Sequence, residues 1–95
     1  MKLYYKHSPW CPISAGTKME VDSFLKHNSH PIDFELIDVL SNRARSDEIA
    51  EKFGIEHESP QIILTDDNDR VLWHASHRRI KKDRIIKAVE ENKTA

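Results

Sequence analysis

Ser8-Pro9-Trp10-Cys11-Pro12-Ile13-Ser14 joins a short apolar strand pattern to a helix pattern, and it carries the only cysteine of the chain. Before it, Leu3, Tyr4 and Tyr5 lie between lysines and read as a first strand ending near His7. After it, Pro12 suits the first turn of a helix, where a missing N–H costs nothing. Ile13, Thr17, Val21, Phe24, Leu25 and Asn28 then recur at three- and four-residue spacing, which predicts an amphipathic helix from Pro12 to His27. Asn28, Ser29 and Pro31 end it. Cys11 therefore sits in a loop at a helix start. That is the setting of a nucleophile more than of a small buried apolar residue.

Outward from this stretch the pattern continues to alternate. Phe34, Leu36, Ile37 and Val39 form a short apolar run suited to a buried strand. Ser41 to Phe53 reads as a helix with Ala44, Ile49, Ala50 and Phe53 facing inward. Phe53-Gly54-Ile55 is its stop, with glycine in the left-handed position after the last turn. Gln61 to Thr65 and Arg70 to Ala75 are two more strands around the polar turn Asp66-Asp67-Asn68-Asp69, which predicts an antiparallel hairpin. Ile80, Ile85, Ile86 and Val89 place a last helix from Lys81 to Glu91, with fraying expected from Asn92 to Ala95. The order is βαβαββα, an α/β fold with a four-stranded mixed sheet flanked by helices.

The bulk numbers set bounds. Ninety-five residues without a linker or repeat fit one domain, 1–95, with a modest core. One cysteine cannot build a disulfide framework, so any disulfide of Cys11 must be made with something outside this chain. A net charge of -1 favours neither nucleic acid nor an anionic membrane. The basic run His77-Arg78-Arg79-Ile80-Lys81-Lys82 reads as a solvated face. No segment approaches the length of a membrane span or a signal h-region, so a reduced cytoplasmic compartment and a monomer are the expectations. His74 and His77 would point to opposite faces of a strand, and no zinc-type spacing occurs, so no metal site is expected.

The cysteine between first strand and first helix resembles the thioredoxin fold in its minimal, glutaredoxin-like form. Cys11-Pro12-Ile13-Ser14 is similar to that family's active-site motif, with Ser14 in place of a second cysteine. Ser59-Pro60 is similar to its cis-proline segment. Together with Lys6-His7-Ser8, Ala50-Glu51-Lys52-Phe53-Gly54-Ile55, His57-Glu58-Ser59-Pro60-Gln61 and Trp73-His74-Ala75-Ser76-His77, these residues resemble the monothiol bacilliredoxins of the bacillithiol redox system. The first strand begins almost at Met1, so the extra N-terminal strand and helix of many relatives are not expected.

Helix-start amides favour the thiolate, the nucleophile of disulfide exchange. The catalytic candidates are Cys11 and Ser14, whose hydroxyl or N–H is expected to reach the sulfur. Candidate substrate contacts are Lys6, Trp10, Pro12, Ser59 and Pro60, with Ser76 a further candidate. Trp10 is expected either to stack on a substrate or to anchor the loop. Ser59 is expected to pair with a client backbone as an added strand would. The resemblance implies removal of bacillithiol from mixed disulfides on client proteins. It also implies no tightly bound cofactor, bacillithiol as co-substrate, and a second small thiol or a reductase to regenerate Cys11. Two other classes remain open. One is an iron–sulfur carrier of the monothiol-glutaredoxin kind, although such carriers usually have glycine where Pro12 stands. The other is a non-catalytic redox adaptor or sensor.

Overall fold

Leu3 to Lys6 are four consecutive buried residues, the mark of a strand covered on both faces, and they put β1 (Lys2–His7) inside the sheet. The computed structural model describes residues 1–93. The remaining elements are α1 (Pro12–His27), β2 (Asp33–Asp38), α2 (Arg43–Phe53), β3 (Gln61–Thr65), β4 (Val71–Ser76) and α3 (Lys82–Asn92). A short 3-10 turn, His77–Arg79, joins β4 to α3. The strands run in the order β2-β1-β3-β4. β1 and β2 are parallel, joined through α1; β3 lies antiparallel to β1 and to β4. This is the four-stranded mixed sheet that the sequence predicts.

Alternation along the inner strands divides the core into two layers. Leu3, Tyr5, Ile62, Leu64 and Ala75 pack against α1 and α3 through Val21, Phe24, Ile85, Ala88 and Val89. Tyr4, Ile37 and Ile63 face α2 through Ile49. The pairs Lys6↔Gln61 and Gln61↔Ser76 bring the C-terminal ends of β1 and β4 and the start of β3 to one edge of the sheet. That edge carries Cys11, because α1 starts just beyond β1.

Several local expectations shift, each for a visible reason. α2 begins at Arg43 instead of Ser41, because Asp38 Oδ1 accepts the N–H groups of Leu40 and Ser41 and holds them in a turn. Ala44 is exposed and Ser46 takes the buried position in that first turn. Val39 lies past the end of β2, with its N–H donating to His7 O at 3.0 Å. Ile86 is 37% exposed, while Ile85 and Val89 carry the packing of α3. Asn92 is helical, and its side-chain amide donates to Ala88 O at 2.7 Å; of the tail expected to fray, Thr94 and Ala95 lie outside the described residues. Gly54 ends α2 at φ 62, as its sequence context predicts.

Candidate active site

Cys11 is the N-cap residue of α1, extended at φ -92 and ψ 122, with Pro12 opening the helix behind it. Pro12 has no N–H to leave unpaired, so the first turn forms without a donor-satisfying side chain. The loop is closed by backbone: Cys11 N–H donates to Ser8 O at 3.1 Å, and Ser14 N–H to Cys11 O at 3.0 Å. The cysteine is free and half-buried. No side-chain capping bond forms at Cys11.

Ser14 does not do what its spacing suggested. It is fully buried, and its hydroxyl accepts the Ser8 N–H at 3.3 Å. Its N–H is spent on the Cys11 carbonyl. Ser14 thus holds the loop that presents the thiol, and neither of its donors reaches the sulfur.

Lys6 is likewise displaced from the substrate side. It is 1% exposed and projects from the α2 face of the sheet, where its Nζ lies 3.2 Å from His57 Nδ1. Ser46 Oγ lies 3.1 Å from the same ring nitrogen. Burial, above all, holds the Lys6 ammonium below its ordinary proton affinity, and burial followed by the Lys6 charge does the same to His57. A buried lysine tied to a neighbouring imidazole is no hand for a substrate.

Trp10 is 84% exposed, which removes the anchoring role and leaves its ring free to lie on a partner. Pro12 is exposed beside it. Ser59-Pro60 is a cis peptide bond. Among the described residues the Ser59 N–H and C=O have no hydrogen-bond partner. Pro60 is buried, and its carbonyl accepts the His77 N–H at 2.9 Å, which ties the end of β4 to the segment opposite Cys11. Ser76, half-buried at the end of β4, opens on the same side of the molecule.

Two features escaped the sequence reading. Tyr5 is fully buried beneath α1, with its hydroxyl 2.8 Å from Thr17 Oγ1 and 3.4 Å from both Ser14 O and His7 Nδ1. Burial raises the proton affinity of the phenol, so Tyr5 stays a neutral donor that pins the first turns of α1 to β1. A polar-tipped aromatic in the strand that leads to the thiol was the available signal. The second is the basic run His77-Arg78-Arg79: its side chains are exposed, and they also wall a groove at the active-site edge. His77 lies beyond the strand at φ 55, so it shares that groove with His74 instead of facing away from it.

Among the described residues, no group of three or more His, Cys, Asp or Glu side chains is placed to hold a metal ion. No helix among them is long and apolar enough to cross a membrane.

Similarity to known proteins follows the same lines. A provisionally assigned oxidoreductase with a thioredoxin fold superposes with a TM-score of 0.80 at 33% identity, covering 92% of this chain and 75% of that one. Thioredoxin-2 of a malaria parasite gives 0.76 at 22% identity, over 96% of this chain and 82% of that one. Thioredoxin 1 of Thermosipho africanus gives 0.71 at 20%, over 96% and 92%. The last two show the fold alone. The family model for the monothiol bacilliredoxin BrxC matches residues 1–85, which takes in every element of the site. A thioredoxin fold, a free cysteine at the start of α1 and that match assign a thiol–disulfide redox role, and the chain belongs to the monothiol bacilliredoxin BrxC family.

Proposed function

We propose that the protein removes bacillithiol from mixed disulfides on client proteins, with Cys11 as the sole nucleophile. The observation that carries this reading is the pairing of two features at one sheet edge. One is a free, half-buried cysteine at the amide end of α1; the other is the cis Ser59-Pro60 segment with its backbone N–H and C=O unpaired.

The client chain lies extended along Ser59 and donates to, and accepts from, its backbone as a short added strand. Trp10 covers the bound segment from the solvent side. The Cys11 thiolate then attacks the bacillithiol sulfur of the mixed disulfide. A bond forms between Cys11 and that sulfur, the old disulfide breaks, and the client cysteine leaves as a thiolate. No second cysteine exists in this chain to resolve the adduct. A second bacillithiol thiolate must attack the small-thiol sulfur of the adduct, which frees Cys11 and yields bacillithiol disulfide for a separate reductase.

Mass spectrometry of the protein after incubation with a bacillithiolated client peptide tests this directly. One bacillithiol mass on Cys11, matched by free client thiol and absent in Cys11→Ala, is the expected result. Added bacillithiol should then clear the adduct over repeated turnovers. Absence of any adduct in the wild-type protein would end the reading. A stoichiometric adduct that free bacillithiol never clears would make the protein an adaptor instead of a catalyst.

A further inference from the structure

A groove of about 680 Å³ opens between the end of β4 and the residues that flank the thiol and the cis-proline. Ile13, two residues after Cys11, forms one wall, and Glu58, two before Pro60, forms another. The rest comes from His74 and Ser76 on β4 and from the His77–Arg79 turn. Arg78 also borders a second groove of about 400 Å³ that runs along Pro12, Ile13 and Gly16 of α1. Arg78 therefore borders both grooves, next to the first turn of α1.

Three observations make this turn a candidate anion site. First, some surface cations are already held by acidic partners, as in the Lys18–Asp22 and Lys52–Asp69 pairs. Arg78 and Arg79 have none among the described residues. Second, the single carboxylate that lines the groove, Glu58, is outnumbered by the two guanidiniums. Third, the turn is held in place. His77 adopts the left-handed conformation at φ 55, and its N–H is anchored on Pro60 O at 2.9 Å. Ile80 N–H closes the turn on His77 O at 3.2 Å, and the Ile80 side chain is fully buried. A backbone fixed at both ends presents two arginines with no further cost for ordering the main chain.

From this arrangement we infer that Arg78 and Arg79 form a carboxylate subsite that selects anionic small thiols at Cys11. The inference rests on the exchange reading above and specifies what that exchange accepts. The small-thiol half of a disulfide sits in the groove with its carboxylates on the guanidiniums. Arginine suits this because its planar fork grips a carboxylate with two parallel N–H bonds. The sulfur then lies toward Ile13 and the start of α1, within reach of the thiolate. The Cys11 sulfur bonds to one sulfur of the disulfide, and the other leaves as a free thiolate.

The test compares two symmetrical disulfides at fixed pH and ionic strength: that of mercaptosuccinate, a dicarboxylate, and that of 2-mercaptoethanol, which is neutral. The readout is the ratio of their rates of adduct formation on Cys11, followed by mass spectrometry. Wild-type protein should favour the dicarboxylate by about tenfold, the effect expected of charge-assisted hydrogen bonds at a solvated site. In Arg78→Gln/Arg79→Gln the ratio should fall to within about twofold of one. Lys26→Gln/Lys87→Gln removes two charges from other exposed positions and should keep the wild-type ratio. A ratio near one in the wild type, or an equal loss in both double variants, would overturn the subsite. No adduct from either disulfide would instead overturn the exchange reading on which it rests.

Discussion

At the scale of single residues, Tyr5 and Ser14 set the position of the thiol without touching it. Ser14 closes the loop by accepting the Ser8 N–H, and Tyr5 fastens the helix behind it through Thr17. Tyr5→Phe keeps the ring packing and removes the hydroxyl. Thr17 Oγ1 still donates to Ser14 O at 3.1 Å, so no buried donor is stranded by the change. A loss of about 1 kcal/mol in urea unfolding is expected, with the Cys11 adduct still formed. A loss below about 0.3 kcal/mol would show that the hydroxyl adds nothing to stability. Lys6 teaches the opposite lesson. In the sequence it stands five residues before Cys11, yet strand alternation turns it to the far side of the sheet, away from any client.

At the scale of elements, α2 shows how a helix end is set. Gly54 takes φ 62, and both its N–H and that of Ile55 fold back onto Ala50 O. A Cβ added at Gly54 would meet nothing within 4 Å, so the penalty of a side chain is the backbone conformation alone. Gly54→Ala should therefore cost about 1 kcal/mol by denaturant midpoint, with no change in the rate of Cys11 modification. A larger loss, or a slower thiol, would mean that the cap also governs the His57 loop that follows it. At the other end of the same connection, Asp38 caps the turn into α2 through two backbone N–H groups. These bonds hold its carboxyl below the usual range.

Across the whole molecule, Glu35 ties three elements together. It accepts from Arg45 of α2 at 2.7 Å and pairs with Lys2 of β1 at 3.3 Å, from its own place on β2. The Arg45 bond, more than any other influence, holds its carboxyl below the ordinary value of 4.5. The folded group therefore keeps its charge at a pH where the unfolded group is protonated. Its stabilising contribution is fully present above the unfolded value and is lost as pH falls through the lower, folded one. Asp38 and Asp66 shift in the same direction through backbone hydrogen bonds. The urea midpoint should fall gently from neutral pH, where burial resists protonation of His57, and more steeply below about 5 as these carboxylates protonate. Glu35→Gln should lower the unfolding free energy by about 1 kcal/mol at pH 7 and by less at pH 3, so the two curves converge in acid. Parallel curves would show that the carboxylate is not the group responsible.

How much of this was legible beforehand follows from the range of the forces involved. The element order, the bounds of α1, the glycine stop of α2 and the Asp66 hairpin are written in periodicity, capping and turn chemistry. These act over a few residues and survive in a bare sequence. Cys11 at a helix start was legible for the same reason, and so was the proline segment opposite it. The partners of Ser14, the burial of Lys6 against His57 and the role of Tyr5 were not. Each depends on which face of a strand meets which helix, and on which loop folds over which end. The basic turn after β4 was hidden most completely. Its charges looked solvated in the sequence, and they are, but the tie from His77 to Pro60 carries them to the edge where Cys11 waits. Local chemistry named the candidate nucleophile and the fold, while side-chain facing and loop closure, set by contacts between residues far apart in the chain, chose what surrounds that cysteine.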